Sequence, residues 1–178
     1  MHMIKGITYS SSYQCISLMT LLLITGCAPV ISKQVREQVN PNITVEEVFK
    51  DPERYQGEMI IVSGNIIETE NTKEGTFIKI LQHPAGSRGR PKDVDTSEGR
   101  FLAAFDHYLD PVIYAKGRAI TIAGEVQGKQ TLPVGEVQYT YPVIQAKEMH
   151  LWPVEKRYYS PDYYYHDHFW WRRGFWYY

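Results

Sequence analysis

The spacing of apolar and polar residues along this chain follows a helical period first and a strand period after it. Thr44 and Glu47 have the spacing of a capping box, in which a hydroxyl and a carboxylate each accept an amide hydrogen at the start of a helix. Three apolar side chains within residues 45–49 would share one helical face, and Pro52 would end the helix. The pattern predicts one short N-terminal helix.

A strand period follows, in runs rich in β-branched residues that are bounded by turn residues. The five predicted strands cover residues 59–68, 76–81, 100–105, 119–127 and 137–146. Gly64 and Gly124 fall inside apolar runs, where glycines mark the bulges and bends that a small sheet needs to curl. We therefore expect a mainly β fold, a small five- to six-stranded, OB-like, partly open barrel. A β-sandwich is the alternative.

Two polar stretches flank or interrupt these elements. Residues 27–43 contain two prolines and no sustained period, which predicts a flexible tether. Residues 86–99 are rich in glycine and charge, which predicts a long exposed loop between strands two and three. Disorder is the expected state of this loop, and a binding loop is the alternative. The globular domain is then expected over residues 44–153.

The amino-terminal segment has the features of a secretory signal, which needs a cationic start, roughly 7 to 15 apolar residues and a small-residue cleavage site. Lys5 supplies the charge and residues 16–24 the apolar run. This run is too short to span a bilayer, which takes about 20 residues. We predict a signal peptide over residues 1–26, cleaved between Gly26 and Cys27. An ordinary signal peptide with a chance cysteine, or an uncleaved anchor, is the alternative.

The sequence up to Cys27 resembles the lipobox of bacterial lipoproteins, in which the cysteine thiol receives a diacylglycerol before cleavage. The resemblance implies three acyl chains on the mature protein, and two chains already anchor a protein stably. Ala28 follows the cysteine where an aspartate would favour the inner membrane, so the resemblance implies the outer membrane with a periplasmic domain. The other cysteine, Cys15, lies in the removed segment, which leaves no thiol for disulfides, catalysis or zinc.

The carboxy-terminal tail, residues 154–178, is dense in aromatic side chains and holds three of the four tryptophans. Aromatic rings with polar tips favour bilayer interfaces, and arginines favour anionic head groups. The predicted contacts to a membrane, a sugar face or peptidoglycan are Trp170, Trp171, Arg172, Arg173 and Trp176. Packing of the tail over the barrel, or a tail without structure, is the alternative.

Side chains that could carry chemistry are few. A weak metal-ligand set for zinc or copper consists of Asp162, His166, Asp167 and His168, with a surface polar cluster as the default. Asp106 and His107 are adjacent and would point to opposite faces of a strand, so we expect a polar turn and not a catalytic dyad. Nucleophile-elbow, phosphate-loop and zinc-helix motifs are absent from the sequence. The sequence thus predicts no catalytic residues and no cofactor.

The charge balance argues against nucleic acid as a partner. The formal net charge is −1 at pH 7, and removal of Lys5 with the signal peptide changes it to −2. A chain this close to neutrality produces no long-range field that would capture a polyanion. We therefore expect no nucleic-acid partner.

Three stretches in the second half of the chain together resemble the Slp family of outer-membrane lipoproteins. They are EGRFLAAF at residues 98–105, LDPVIY at residues 109–114 and AITIAGEVQG at residues 119–128. DPERYQG at residues 51–57 and YPVI at residues 141–144 fit the same pattern.

This resemblance covers residues 44–153 and implies a location and a β-rich domain, not a reaction. It implies a non-enzymatic, outer-membrane-anchored periplasmic lipoprotein with a binding or structural role in the envelope, in starvation or stationary phase. The implied partners are the membrane, through the lipid anchor, and envelope components such as peptidoglycan or other outer-membrane proteins. A periplasmic small-ligand or metal-binding module is the alternative function.

Overall fold

The computed structural model describes residues 29–92 and 95–154, and these form a closed β-barrel with two short helices. In chain order the elements are α1 (Lys33–Arg36), α2 (Val45–Lys50), β1 (Met59–Thr72), β2 (Gly75–Gln82), β3 (Arg100–Phe105), β4 (Ala119–Val134) and β5 (Val137–Leu151). The strands follow the order β1-β2-β3-β5-β4, and β4 pairs back with β1. A short parallel ladder between β3 and β5 completes the ring, and the other ladders are antiparallel. The predicted small OB-like barrel is confirmed.

Strands β1 and β4 pair with each other, and each contains a glycine that is also in register with its other neighbouring strand. Gly64 of β1 is in register with both Gln82 of β2 and Ile120 of β4. Gly124 of β4 lies at a register shift with β5, and a Cβ added there would overlap the Gln145 carbonyl oxygen. The two glycines predicted as bends are therefore points of close backbone approach.

Apolar side chains from all five strands fill the barrel. The buried strand residues of the core are Ile60, Val62, Ile66, Ile78, Ile80, Phe101, Ala103, Phe105, Ile120, Ile122, Val126 and Ile144. Helix α2 adds Val48, which is fully buried, and Phe49, whose ring meets that of Phe101 edge-on with centroids 6.0 Å apart. Leu109, from the connection between β3 and β4, joins the same core. The connections thus help to seal the barrel.

The start of α2 has the predicted capping box. The Glu47 amide donates to the Thr44 hydroxyl at 3.2 Å, and the Thr44 amide donates to the Glu47 carboxylate at 2.9 Å. The bond from the Thr44 backbone, followed by that from its hydroxyl, holds the pKa of Glu47 below its usual value. The helix therefore begins where local sequence chemistry places it.

Strands β1, β4 and β5 run further than the sequence pattern predicts. The additional residues are 69–72, 128–134 and 147–151. The end of β4 and the start of β5 form a ribbon of mainly exposed residues, closed by the pairing of Val134 with Val137. Ladder hydrogen bonds suffice to make a strand here, whereas the apolar period that predicts a strand requires a buried face.

The described part of the predicted tether packs on the barrel, which corrects the expectation that residues 27–43 are flexible. Ile31 is only 3% exposed. The amide and the hydroxyl of Ser32 both donate to the Glu148 carboxylate of β5, at 2.9 and 2.7 Å. Ser32 also caps α1 by accepting from the Val35 amide. One isoleucine and one serine–glutamate pair supply this contact, so the polar composition of the segment conceals it.

The loop after β2 is likewise anchored, which corrects the expectation of disorder for its described residues 86–92. The Gly89 carbonyl accepts hydrogen bonds from Ser63 of β1 and Thr121 of β4, each at 2.7 Å. The Trp152 indole N–H donates to the Thr121 hydroxyl at 2.9 Å. Ser63 and Thr121 are buried although they are not part of the apolar core. This polar cluster fastens the loop and the end of β5 to the barrel wall.

We predict that Gly64→Ala lowers the free energy of unfolding by about 1–3 kcal/mol, the usual effect of overpacking a dense interior. The added methyl group would overlap the Leu81 carbonyl oxygen, and backbone cannot move aside as a flexible side chain would. Urea-induced unfolding measures the change. Gly86→Ala is the matched control, because the nearest atom to its added Cβ is the Arg90 carbonyl oxygen at 3.4 Å. Equal effects of the two substitutions would contradict the prediction.

We also predict that Thr121→Val destabilises the protein by about 1–3 kcal/mol, the range for a buried polar partner left unsatisfied. The substitution removes the hydroxyl that bonds Gly89 and Trp152, so residues 86–92 should exchange their amide hydrogens faster. Hydrogen-exchange mass spectrometry measures that rate. In the control Thr131→Val the lost hydroxyl meets only that of Thr140 on the exposed ribbon, and the loop should keep its exchange rate. Unchanged exchange in the Thr121 variant would refute the anchoring role.

Candidate functional site

A cleft of about 500 Å³ opens where β4 begins and β5 ends. Its walls come from the loop after β2, the turn before β4 and the residues that follow β5. The ionisable side chains among the described residues that line it are all cations, namely Arg90, Lys92, Lys116 and Arg118. The whole chain has a net charge of −1. Positive charge is therefore concentrated in this cleft, which we call the cationic cleft.

Arg118 is held at the back of the cationic cleft by two backbone carbonyls. Its Nη1 donates to the Ile113 oxygen and its Nη2 to the Trp152 oxygen, each at 2.8 Å. Its Nε is buried and has no hydrogen-bond partner among the described residues. A guanidinium carries five N–H donors, so besides the two bonds to carbonyls and the buried Nε, one N–H on each terminal nitrogen is left for an acceptor in the cleft.

Trp152 forms the aromatic wall of the cleft. Its backbone N–H donates to the Ala119 carbonyl at 2.9 Å, and its indole N–H donates to the Thr121 hydroxyl. The Arg90 guanidinium carbon lies 5.4 Å from the centroid of the tryptophan ring, within the range of a cation–π contact. The Trp152 ring thus positions Arg90, and the Trp152 backbone carbonyl positions Arg118.

The two lysines extend from backbone that is fixed in place. The Lys92 amide donates to a carbonyl of the same loop at 2.9 Å. Around Lys116, the Gly117 amide donates to the Ile66 carbonyl at 2.7 Å, and the Ile66 amide donates to the Arg118 carbonyl at 2.9 Å. Both lysines are exposed, and neither ammonium group has an ion-pair partner in the ranges that the structure covers. Their charges are therefore available to a ligand.

The composition of the cleft suits the binding of an anion. Its described lining side chains include no Asp, Glu, His, Ser, Thr or Cys, so lysine is the one common nucleophile and proton carrier among them. Arginines and lysines hold anions through charge-assisted hydrogen bonds. The arrangement is chemically suited to an anionic ligand.

Sequence reasoning missed this site because its two halves are distant in the chain. Each half is a short pair with one residue between two cations, Arg90 with Lys92 and Lys116 with Arg118. Such a pair is ordinary on an exposed loop. Only the pairing of β1 with β4, which brings Asn65 opposite Ala119, together with the anchored loop, brings the two pairs to one cleft.

The residues predicted from the sequence to form sites lie outside the described ranges and stay predictions. They are the cleavage and lipidation positions Gly26 and Cys27, the tail contacts Trp170, Trp171, Arg172, Arg173 and Trp176, and the metal ligands Asp162, His166, Asp167 and His168. Within residues 29–92 and 95–154, no three His, Cys, Asp or Glu side chains are grouped to hold a metal ion. Among the same residues, no helix has the length and apolar character needed to cross a membrane.

Asp106 and His107 do face each other, so the expectation that their side chains diverge is wrong. The His107 Nδ1 lies 2.9 Å from a carboxylate oxygen of Asp106, and this bond holds the pKa of Asp106 below its usual value. Both side chains are exposed, because they belong to the turn after β3 where strand alternation no longer applies. The predicted polar turn is present.

The barrel has a weak structural likeness to a solved nucleic-acid-binding protein. The mitochondrial single-stranded DNA-binding protein Rim1 of S. cerevisiae aligns over 57% of this chain and 100% of its own, with 13% identity and a TM-score of 0.36. A likeness at this level carries no statement about ligands. The barrel topology rests on the strand order and pairing described above.

Comparison with protein families and relatives is more informative. The model of the outer membrane lipoprotein Slp family matches residues 24–177. The outer membrane protein Slp of Escherichia coli K12 is 27% identical over 141 residues, which cover 78% of this chain and 74% of that protein. Lipoprotein YeaY of the same organism is 25% identical over 140 residues, covering 79% of this chain and 72% of its own length. This chain belongs to the Slp family of outer membrane lipoproteins and is a lipid-anchored protein of the outer membrane.

Proposed function

We propose that this protein is a non-enzymatic binding protein of the cell envelope, held at the outer membrane by acyl chains on Cys27 with its barrel in the periplasm. One observation carries the proposal. The cationic cleft presents positive charge and hydrogen-bond donors, and the ionisable side chains of its described lining are all Arg or Lys. Such a site is suited to holding an anionic ligand through charge-assisted hydrogen bonds.

The position of the anchor is supported by the sequence around Cys27. The apolar run ends at two small residues before the cysteine, and Ala28 follows it. Acyl chains on one cysteine would hold the protein at the bilayer surface without a membrane-spanning helix. The barrel would then face the envelope components that share its compartment, such as peptidoglycan or other outer-membrane proteins. The association of the family with starvation supports a role in stationary phase.

We predict that Cys27→Ala abolishes acylation and releases the protein from the outer-membrane fraction, because the sulfur is the attachment atom. Metabolic labelling with a radioactive fatty acid, followed by membrane fractionation, measures both effects. Cys15→Ala is the matched control, since that cysteine lies in the removed segment and should leave labelling intact. Equal labelling of the wild type and the Cys27 variant, or wild-type protein free in the periplasm, would reject the anchor.

A further inference from the structure

We infer that the cationic cleft binds the phosphate group of membrane-lipid head groups beside the anchor. The site lies in the described part of the chain and is assembled from Arg90, Lys92, Lys116 and Arg118. The inference deepens the proposed function, because its choice of a lipid rests on attachment through Cys27.

The chain arriving from the anchor passes beside the cleft. A methyl group of Val30 lies 3.5 Å from where a Cβ on Gly89 would stand, and Gly89 directly precedes the cleft residue Arg90. The next residues are seated on the barrel, since Ile31 is buried and Ser32 donates two hydrogen bonds to Glu148. The first described residues are therefore fixed against the same loop that carries one half of the cleft.

This contact limits how far the cleft can stand from the membrane. Val30 is three positions after Cys27, and three steps of extended chain span at most about 11 Å. The polar layer on each side of a bilayer is roughly 5–8 Å thick. An acylated Cys27 would therefore keep the loop around Gly89 within reach of the head groups, and the cleft beside it.

The chemistry of the cleft matches a phosphate ester. A guanidinium presents a fork of donors that fits phosphate oxygens, and an ammonium adds a mobile point charge. Arg118 is fixed by its two carbonyl contacts, so its remaining donors are preorganised. A volume of about 500 Å³ is in the range of small-molecule pockets and exceeds what a lone ion needs.

A free phosphate ion offers the same oxygens as a lipid phosphate, so charge alone does not separate the two sources. The packing of the first described residues against the loop does separate them. It holds the cleft at a membrane surface, where lipid phosphates are the concentrated anions. The membrane lipid is therefore the occupant that the geometry favours, and soluble phosphate is an arm of the test.

The first experiment measures vesicle binding by the cleft in a chain that lacks the lipid anchor. The mature chain, residues 27–178 with Cys27→Ser, is sedimented with vesicles of phosphatidylethanolamine and phosphatidylglycerol, and with vesicles in which phosphatidylcholine replaces the phosphatidylglycerol. We expect binding to the anionic vesicles to fall about 30-fold in Lys92→Gln/Lys116→Gln, since each basic residue near such a surface contributes about fivefold. Both lysines are exposed, so thermal unfolding should be unchanged.

The control removes the same charge elsewhere. Lys73 and Lys147 are also exposed and without an ion-pair partner among the described residues, and they do not line the cleft. Lys73→Gln/Lys147→Gln should bind the anionic vesicles about as well as the unsubstituted chain. If the two double variants lose binding equally, net charge and not the cleft attracts the membrane, and the inference is overturned.

Two soluble ligands test the source of the anion. Inorganic phosphate and glycerol phosphate should compete only weakly with the anionic vesicles. Tight binding of either, without Lys92- and Lys116-dependent binding to vesicles, would overturn the assignment to lipid. Binding of a single-stranded oligonucleotide that exceeds vesicle binding and depends on the same lysines would overturn it in favour of nucleic acid.

The second experiment uses the full chain in cells. A photoreactive benzoylphenylalanine is placed at Val154, which lines the cleft and is 70% exposed, or at Val137 on the ribbon, which is 69% exposed. We expect a phospholipid adduct by mass spectrometry at position 154 and none at position 137. Equal adducts at both positions would refute the orientation. If the anchor itself fails, both positions lose their adducts while the vesicle result stands, so the two proposals fail separately.

Discussion

The architecture depends on the ladder between β1 and β4, which contains two glycines where the backbone of a further strand approaches too closely for a side chain. At Gly64 and Gly124 an added Cβ would overlap a carbonyl oxygen of the adjacent strand. Each glycine therefore lies where a strand of this ladder also pairs closely with its other neighbour, β1 with β2 and β4 with β5. A sheet of five strands can then close on a single core. The same ring holds the start of β4 against the end of β5, and the cationic cleft opens there.

Outside the barrel, a second set of contacts fixes the loop after β2 and the end of β5, which line the cationic cleft. Ser63 and Thr121 place hydroxyls on the wall, and one carbonyl, that of Gly89, accepts from both. Thr121 also accepts from Trp152, so a loop and the end of the last strand share one buried group. Each polar atom in such a cluster is expensive to leave unpaired. The cluster is therefore a stronger constraint on the loop than its glycine-rich sequence indicates.

The sequence predicts what is local and fails where contacts are distant. The capping box of Thr44 and Glu47 and the five strand cores depend on neighbours a few positions apart, and all are present. The predicted tether failed in its described part because Ser32 bonds a partner 116 positions away. The cleft was missed for the same reason, since its two cation pairs become neighbours only through strand pairing. Polar composition cannot distinguish a solvated segment from one held by a few specific hydrogen bonds.

The charge of the whole chain is a poor guide to the charge of its cleft. Acidic residues elsewhere, such as Glu68 and Glu70 beside Lys79, offset the cations in the net total of −1. Salt screens surface charges beyond about 8–10 Å, so a ligand in contact with the cleft responds to the nearby cations and not to the distant acids. A nearly neutral protein does not attract anions over a long distance, but a protein tethered to the membrane does not need long-range attraction to reach lipid phosphates. Attachment supplies a local concentration that solution binding would have to reach by affinity, and a modest contact site then suffices to orient the barrel on its membrane.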